Sequence, residues 1–580
     1  MTVSRRHIRA TGLSKGGEQM LTIDALIMLA VAVLIVFVSN RPKMCGAAAR
    51  QVRGDRALCL AVFAAGCVLR LVCLGSLPGG LSAEEALVGA QAKALFETGG
   101  FLFTGRLTTQ FQQWAGESSG PLLAALSAPL VGLMGTTAWA VRLPLALLSI
   151  AAMPAAYALG RELAGKTAGL IMLILYALCP YFVLAARMTA SANAAVFLLP
   201  IALWALCAGM KRSGLLYLGM ALLGLMAYAQ DLYFFISPLA VIAAAVVAAM
   251  YGVKKRHVFL SAALGLALCL PAAMTAYVNI CALEGFTLFG LVDVPALEAF
   301  DKADMLFDTV PSEGQWVYLV LSRMMAALIG GVFQSVAHEN FSAALYLPEG
   351  MLALTVVSLP LIALGALSLA LRRIDGGRAG EAHRGARTLV IALFAVVLLC
   401  ETLWGSEGAY IAGGATSLYD HSALFLFSAL LMTAGFMRMM RVSLKGSAAL
   451  AAMFALCVTM LGVHLFGGDY NLGANVYFNG FAGAAKRAAQ LQAETGAKVM
   501  VTGRVYPHRS PSAAAEMMYL FAADADPASL PEYEVIYAQG MEGPQADQIY
   551  LVHYEDVYDW DFGDMAYEEF GDFVVLSAGE

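Results

Sequence analysis

Charge is what this sequence has least of. Only 13% of its 580 residues are Asp, Glu, Lys or Arg, whereas 60% are hydrophobic, and the mean hydropathy is +0.73. Soluble proteins carry roughly 25% charged residues. The length would suit three or four soluble domains, but this shortage excludes them and leaves lipid as the main solvent. A disulfide framework is missing as well. Of the ten cysteines, Cys59, Cys67, Cys73, Cys179, Cys207, Cys269, Cys400 and Cys457 lie inside apolar runs, and none falls in the last hundred residues. No CxxC metal spacing occurs. With a net charge of −5, no nucleic-acid partner is expected.

What is present is a series of apolar runs about as long as a bilayer is thick, at 20–40, 57–77, 141–160, 167–184, 193–208 and onward to 446–466. The loops between them differ in charge. Those at 41–56, 161–166, 211–212, 254–256, 372–387 and 438–445 are basic and are assigned to the cytoplasm by the positive-inside rule. The segments 77–140 and 280–349 and the tail after 468 are acidic; the tail holds eighteen acids against five Lys or Arg. The two kinds alternate if the apolar stretches 121–134 and 316–333 are surface or re-entrant helices. Twelve spans result. The predicted architecture is therefore a mainly α, polytopic membrane domain over 20–467, with outer loops at 78–140 and 280–349. A small acidic α/β domain follows at 468–580, outside the cytoplasm. Arg5, Arg6, Arg9 and Lys15 conflict with this orientation of the first span. The stretch Lys15-Gly-Gly-Glu-Gln-Met20 would have purine-rich codons like a ribosome-binding site, so translation is expected to start at Met20, leaving 1–19 as an extension that is not made.

The first outer loop carries the chemistry. Leu87, Gln91, Ala94, Leu95 and Thr98 share one side of a helix that stops at Gly99-Gly100. Ser82 and Glu85 have the spacing of a capping box, with Ser82 as N-cap and Glu85 reaching back to its amide. That leaves Glu84 without a structural task, at a helix N-terminus on the lipid–water boundary, where the helix dipole favours an ionised general base. Because a Gln can complete the same box, Glu85→Gln is expected to be mild and Glu84→Gln to abolish activity.

Arg70-Leu-Val-Cys-Leu-Gly-Ser-Leu-Pro-Gly-Gly-Leu-Ser-Ala-Glu-Glu-Ala resembles the opening of the family 39 glycosyltransferases, the protein O-mannosyltransferase and aminoarabinose-transferase group with the membrane GT-C fold. The likeness continues through Ser119-Gly-Pro-Leu-Leu-Ala-Ala-Leu-Ser-Ala-Pro129, Gly135-Thr-Thr-Ala-Trp-Ala-Val-Arg-Leu-Pro144, Leu178-Cys-Pro180 and Ala186-Arg-Met-Thr-Ala-Ser-Ala-Asn193. The family's Asp is Glu84 here, one methylene longer, which shifts the base by roughly 1.5 Å. Loop 187–193 lacks the acidic pair that metal-dependent GT-C enzymes place there, so the resemblance implies a reaction without a metal or other cofactor.

The implied reaction moves a sugar from a polyprenyl-phosphate carrier in the membrane lipid to an acceptor hydroxyl of protein, glycolipid or cell-wall polymer. Glu84 and Glu85 are the candidate catalytic acids. Arg70, Arg142, Arg187 and His421 are the candidate ligands of the donor phosphate. Each of these four could instead snorkel at the interface. His338-Glu-Asn340 and Asp231 are weaker candidates, the latter reading more readily as a helix boundary. Two other classes fit a dozen spans: a lipid or solute transporter, though neither a convincing repeat nor midplane charge is evident, and a non-catalytic scaffold of degenerate glycosyltransferase fold. In the tail, helices at 481–494 and 512–523 alternate with strands at 498–502, 533–537, 548–553 and 573–576, which predicts a partly parallel sheet. Asp559-Trp-Asp-Phe-Gly-Asp564 lacks EF-hand spacing and reads as solvated acidic surface.

Overall fold

The computed structural model describes residues 56–78, 81–111, 119–297, 315–328, 353–370, 381–404, 423–466, 480–503, 512–537 and, with short gaps, 543–578. The first apolar run, the 1–19 extension, His421 and His338-Glu-Asn340 lie outside these residues.

The other eleven predicted crossings are helical. They are α1 (Arg56–Leu71), α4 (Ala138–Ala164), α5 (Lys166–Leu178), α7 (Ser191–Gly209), α8 (Ser213–Leu225), α9 (Tyr233–Met250), α10 (Lys255–Ile280), α12 (Ala353–Ala370), α13 (Glu381–Trp404), α14 (Phe425–Val442) and α15 (Leu444–Phe466). Seven of the described helices are long and apolar enough to cross a membrane, among them α4, α7, α9 and α10. Helices α1, α5 and α8 are apolar but shorter. At Cys179 the chain turns out of α5 and continues as the short α6 (Pro180–Ala185), because Pro180 has no N–H to extend the ladder. Hydropathy alone does not say which helix is central. The apolar window of α7 is 83% buried inside the protein and that of α15 only 22%. A helix apolar on all sides can meet either protein or lipid, and here α7 is the axle and α15 the rim.

Two further helices correspond to the stretches read from the sequence as surface or re-entrant, and both are short, as α5 and α8 also are. The helix α3 (Leu122–Met134) has 13 residues, roughly 20 Å against the ~30 Å of a bilayer core. It packs along α2 (Ala83–Thr98). The helix α11 (Gln315–Ala326) is also short.

At the other end of the bundle, the basic loops at 161–166 and 211–212 and the start of α13 come together. Lys211 Nζ lies 2.6 Å from Glu162, and Arg387 donates to the Leu163 carbonyl at 3.2 Å.

The tail forms a five-stranded sheet of β4 (Val499–Thr502), β5 (Tyr533–Ile536), β6 (Ile549–His553), β7 (Ala566–Phe570) and β8 (Phe573–Ser577), ordered β5-β4-β6-β8-β7. β4 pairs in parallel with β5 and β6; β6–β8 and β7–β8 are antiparallel. A smaller sheet joins the two outer loops, with β1 (Leu107–Thr108) parallel to β3 (Val292–Val294) and β2 (Phe286–Leu288) antiparallel to it. Helix α16 (Phe481–Thr495) covers the tail sheet, while α17 (Ser512–Ala522) packs against α2. Tail and membrane bundle thus share one continuous apolar core.

Candidate active site at the start of helix α2

The capping box is formed. Ser82 Oγ accepts the Glu85 amide at 3.2 Å, and Glu85 Oε2 accepts the Ser82 amide at 3.1 Å. The same carboxylate has a second task that local spacing could not reveal. It is fully buried and makes a two-pronged ion pair with Arg142 of α4, Nε to Oε1 at 2.7 Å and Nη2 to Oε2 at 2.8 Å. Oε1 also accepts the Thr189 amide at 3.2 Å. Arg142 uses its other nitrogen on the Leu74 and Pro78 carbonyls, at 3.2 and 2.9 Å. Glu85 therefore does more than cap, and the mildness expected of Glu85→Gln does not follow, because a neutral amide would leave a buried guanidinium unpaired.

None of the three expected phosphate ligands among the described residues faces an open donor site. Arg70, Arg142 and Arg187 are each 0% exposed. Arg70 donates to Ser149 Oγ (2.6 Å) and to the carbonyls of Gly66, Tyr176, Ala177 and Phe182. The Tyr176 carbonyl is one whose helical donor would be residue 180, and Pro180 has no N–H. The guanidinium replaces that missing bond. Arg187 donates to the carbonyls of Leu69 (2.9 Å), Cys73 (3.1 Å) and Leu77 (2.9 Å), closing the C-terminal end of α1 and the turn beyond it. These charges are held by main-chain oxygens, which explains how an apolar span tolerates them.

Glu84 differs. It is only partly buried, and Oε1 accepts the amide of Ser191, the first residue of α7, at 2.7 Å. The carboxylate thus lies at two helix N-termini, its own and that of α7, both of which favour the ionised form. The groups that follow on from Ser191 are neutral. Ser191 Oγ is 2.7 Å from Ser119 Oγ. Gly120 lies so close to the next loop that a Cβ there would come within 2.1 Å of the Tyr228 carbonyl oxygen. The Ser119 carbonyl accepts the Phe111 amide at 3.1 Å, and next to it Gln110 is 1% exposed, with both side-chain polar atoms unpartnered among the described residues. Beyond Tyr228, the Gln230 amide oxygen is likewise buried and unpartnered. Sequence reading missed both glutamines; their only sequence signal was a position beside the loop glycines and serines. Asp231 is buried and accepts the next amide, Leu232 N, at 2.7 Å, as a helix-boundary residue does. Among the described residues, no three His, Cys, Asp or Glu side chains converge as metal ligands.

Residues 118–274, which include Ser119, Arg142, Arg187 and Ser191, match the family described as dolichyl-phosphate-mannose-protein mannosyltransferase. Over these residues the match agrees with the resemblance to the family 39 glycosyltransferases. No curated protein matches the chain. Among solved structures, the oligosaccharyltransferase AglB of Archaeoglobus fulgidus, in complex with an inhibitory peptide and a dolichol-phosphate, is 12% identical; the match covers 81% of this chain and 63% of that one, with a TM-score of 0.45. The chain thus spans under two thirds of the archaeal protein's length. ArnT of Cupriavidus metallidurans in the apo state is 11% identical over 90% of this chain and 98% of that one, with a TM-score of 0.43. The same protein bound to undecaprenyl phosphate gives 12%, 90%, 96% and 0.41.

Proposed function

We propose that this protein transfers a sugar from a polyprenyl-phosphate carrier to an acceptor hydroxyl, on the membrane face where α2 lies, and that Glu84 is the general base. Glu84 takes the proton of the acceptor hydroxyl, whose oxygen bonds to the anomeric carbon. The bond from that carbon to the phosphate oxygen breaks, and polyprenyl phosphate leaves. The observation that carries this reading is the contrast between two adjacent acids. The Glu85 carboxylate is fully buried in an ion pair, while that of Glu84 is partly exposed and held by a helix N-terminus. The neutral lining of Gln110, Ser119 and Ser191 suits sugar hydroxyls, which both donate and accept. In this reading Arg70, Arg142 and Arg187 act as the frame that seats the two acids, without touching the phosphate. The face is read as extracytoplasmic because the basic loops at 161–166 and 211–212 lie at the opposite end of the bundle.

The test is Glu84→Gln, assayed in membranes with defined polyprenyl-phosphate sugars. Transfer is expected to fall by about 100- to 10,000-fold with an unchanged melting temperature, and Glu84→Asp should retain part of the rate. Undiminished transfer by the Gln variant would remove Glu84 from the chemistry.

A further inference from the structure

The helix that carries the acid pair is not a surface helix covered on one side. Ala86, Leu87, Val88, Ala90, Ala92 and Ala94 are all buried, more than the single apolar side that the sequence offers. α3 covers one face, and α17 of the tail covers another. The seam is fitted at one point. A Cβ built on Gly89 would stand 2.2 Å from the Phe521 ring, so the ring occupies the space that a side chain at 89 would need. One turn further on, Lys93 Nζ donates to Asp524 Oδ1 and to the Asp524 carbonyl oxygen, both at 2.7 Å, and Thr136 Oγ1 reaches the same carboxylate at 3.2 Å. Asp524 holds this place with φ of +53°, a left-handed conformation that Asp tolerates better than most residues. Its carboxylate is largely exposed. An exposed ion pair contributes little to affinity, so the ring in its notch seats the tail, and the polar contacts fix its register.

We infer that the tail domain is a positioning element for the reaction: by seating Phe521 against Gly89 it holds α2 so that Glu84 stays on the Ser191 amide. The inference rests on the reading of Glu84 as the base. Gly89 lies five residues beyond Glu84 on the same helix, and the Glu84 carboxylate accepts the Ser191 amide at the start of α7. Tilting α2 at its middle therefore displaces the carboxylate at its start.

The experiment is a size-compensation cycle read in two ways. Ala is a better helix former than Gly, so a helix independent of the tail would accept Gly89→Ala. If the tail seats α2, Gly89→Ala instead drives the ring out. Amide hydrogen exchange over 83–98 and 512–522 should then rise together, while kcat drops about ten- to a hundredfold. Phe521→Leu alone should be mild, and Gly89→Ala with Phe521→Leu should recover both readouts toward wild type. Exchange and kcat unchanged in Gly89→Ala would overturn the contact. Exchange that rises in both segments with no change in kcat would overturn the positioning role. Exchange is measurable without any substrate, so absence of transfer from the unaltered protein would count against the proposed function and leave the seating of α2 separately decided.

Discussion

Two layers of polar groups meet at α2, and they are built differently. Beneath the helix, three arginines are wholly buried, and every guanidinium nitrogen of Arg70 and Arg142 meets a carboxylate, a hydroxyl or a carbonyl. Past the Ser191 amide that Glu84 accepts, Ser119 and Gln110 are neutral, and both polar atoms of the Gln110 side chain are unmatched among the described residues. Full matching is what a permanently buried charge requires. Incomplete matching of buried polar atoms is an energetic loss that a bound hydroxyl can recover. Under the proposed function the lower layer is the frame and the upper one meets the ligand, although the lower has the charges that a phosphate-binding site would suggest.

Disturbing the lower layer should give the largest effects. Glu85→Gln or Arg142→Leu leaves its partner buried and unpaired, which costs about 3 to 5 kcal/mol. Thermal melts of purified protein should show it, and a Glu85→Gln variant as stable as wild type would mean the ion pair is not what holds α2. Arg70→Met should be smaller. It loses bonds to several carbonyls, including the one that Pro180 leaves without a donor, and a cost of about 1 to 3 kcal/mol is expected by the same measurement. In the upper layer the sign reverses. Gln110→Leu removes two unmatched buried atoms and should raise stability by about 1 kcal/mol while lowering transfer, since the amide is then unable to meet a sugar hydroxyl. A gain in stability with full activity would show that Gln110 is packing alone. The smallest effect is in the tail. The Ala528 amide and the Ser529 hydroxyl hold the Asp526 carboxyl below its usual range. Its contribution is present above the unfolded pKa and is lost as pH falls through the lower folded value. Asp526→Asn should therefore lower the tail's stability slightly at neutral pH and flatten the acid limb of its unfolding profile, with no difference from wild type at low pH.

What could be read from the sequence depended on separation along the chain. The capping box joins residues three apart, so Ser82 and Glu85 announced it. The Arg142 partner of Glu85 is 57 residues away, on another helix, and no local pattern points to it. The partners of the buried arginines were hidden for the same reason, since sequence shows a charge in an apolar span and not the carbonyls that receive it. Pro180 was visible, but the unmatched carbonyl at Tyr176 matters only once α1 lies alongside. In the tail, β4, β5, β6 and β8 were legible from their apolar residues. β7 was not: Ala566-Tyr-Glu-Glu-Phe570 is an edge strand in which Glu568 pairs with Arg487 and Glu569 faces water.

The partners of Arg70 have a consequence for how the chain is made. They lie at Ser149, Tyr176, Ala177 and Phe182, up to 112 residues further along. At about 5 to 20 residues per second, α1 waits roughly 6 to 22 seconds during synthesis with an uncompensated cation near its end. Until α5 and α6 arrive, that end of α1 can neither settle into lipid nor leave the aqueous boundary. Nascent chains stopped before residue 176 should therefore be released from membranes by alkaline extraction more readily than chains stopped after 190, and Arg70→Leu should erase the difference.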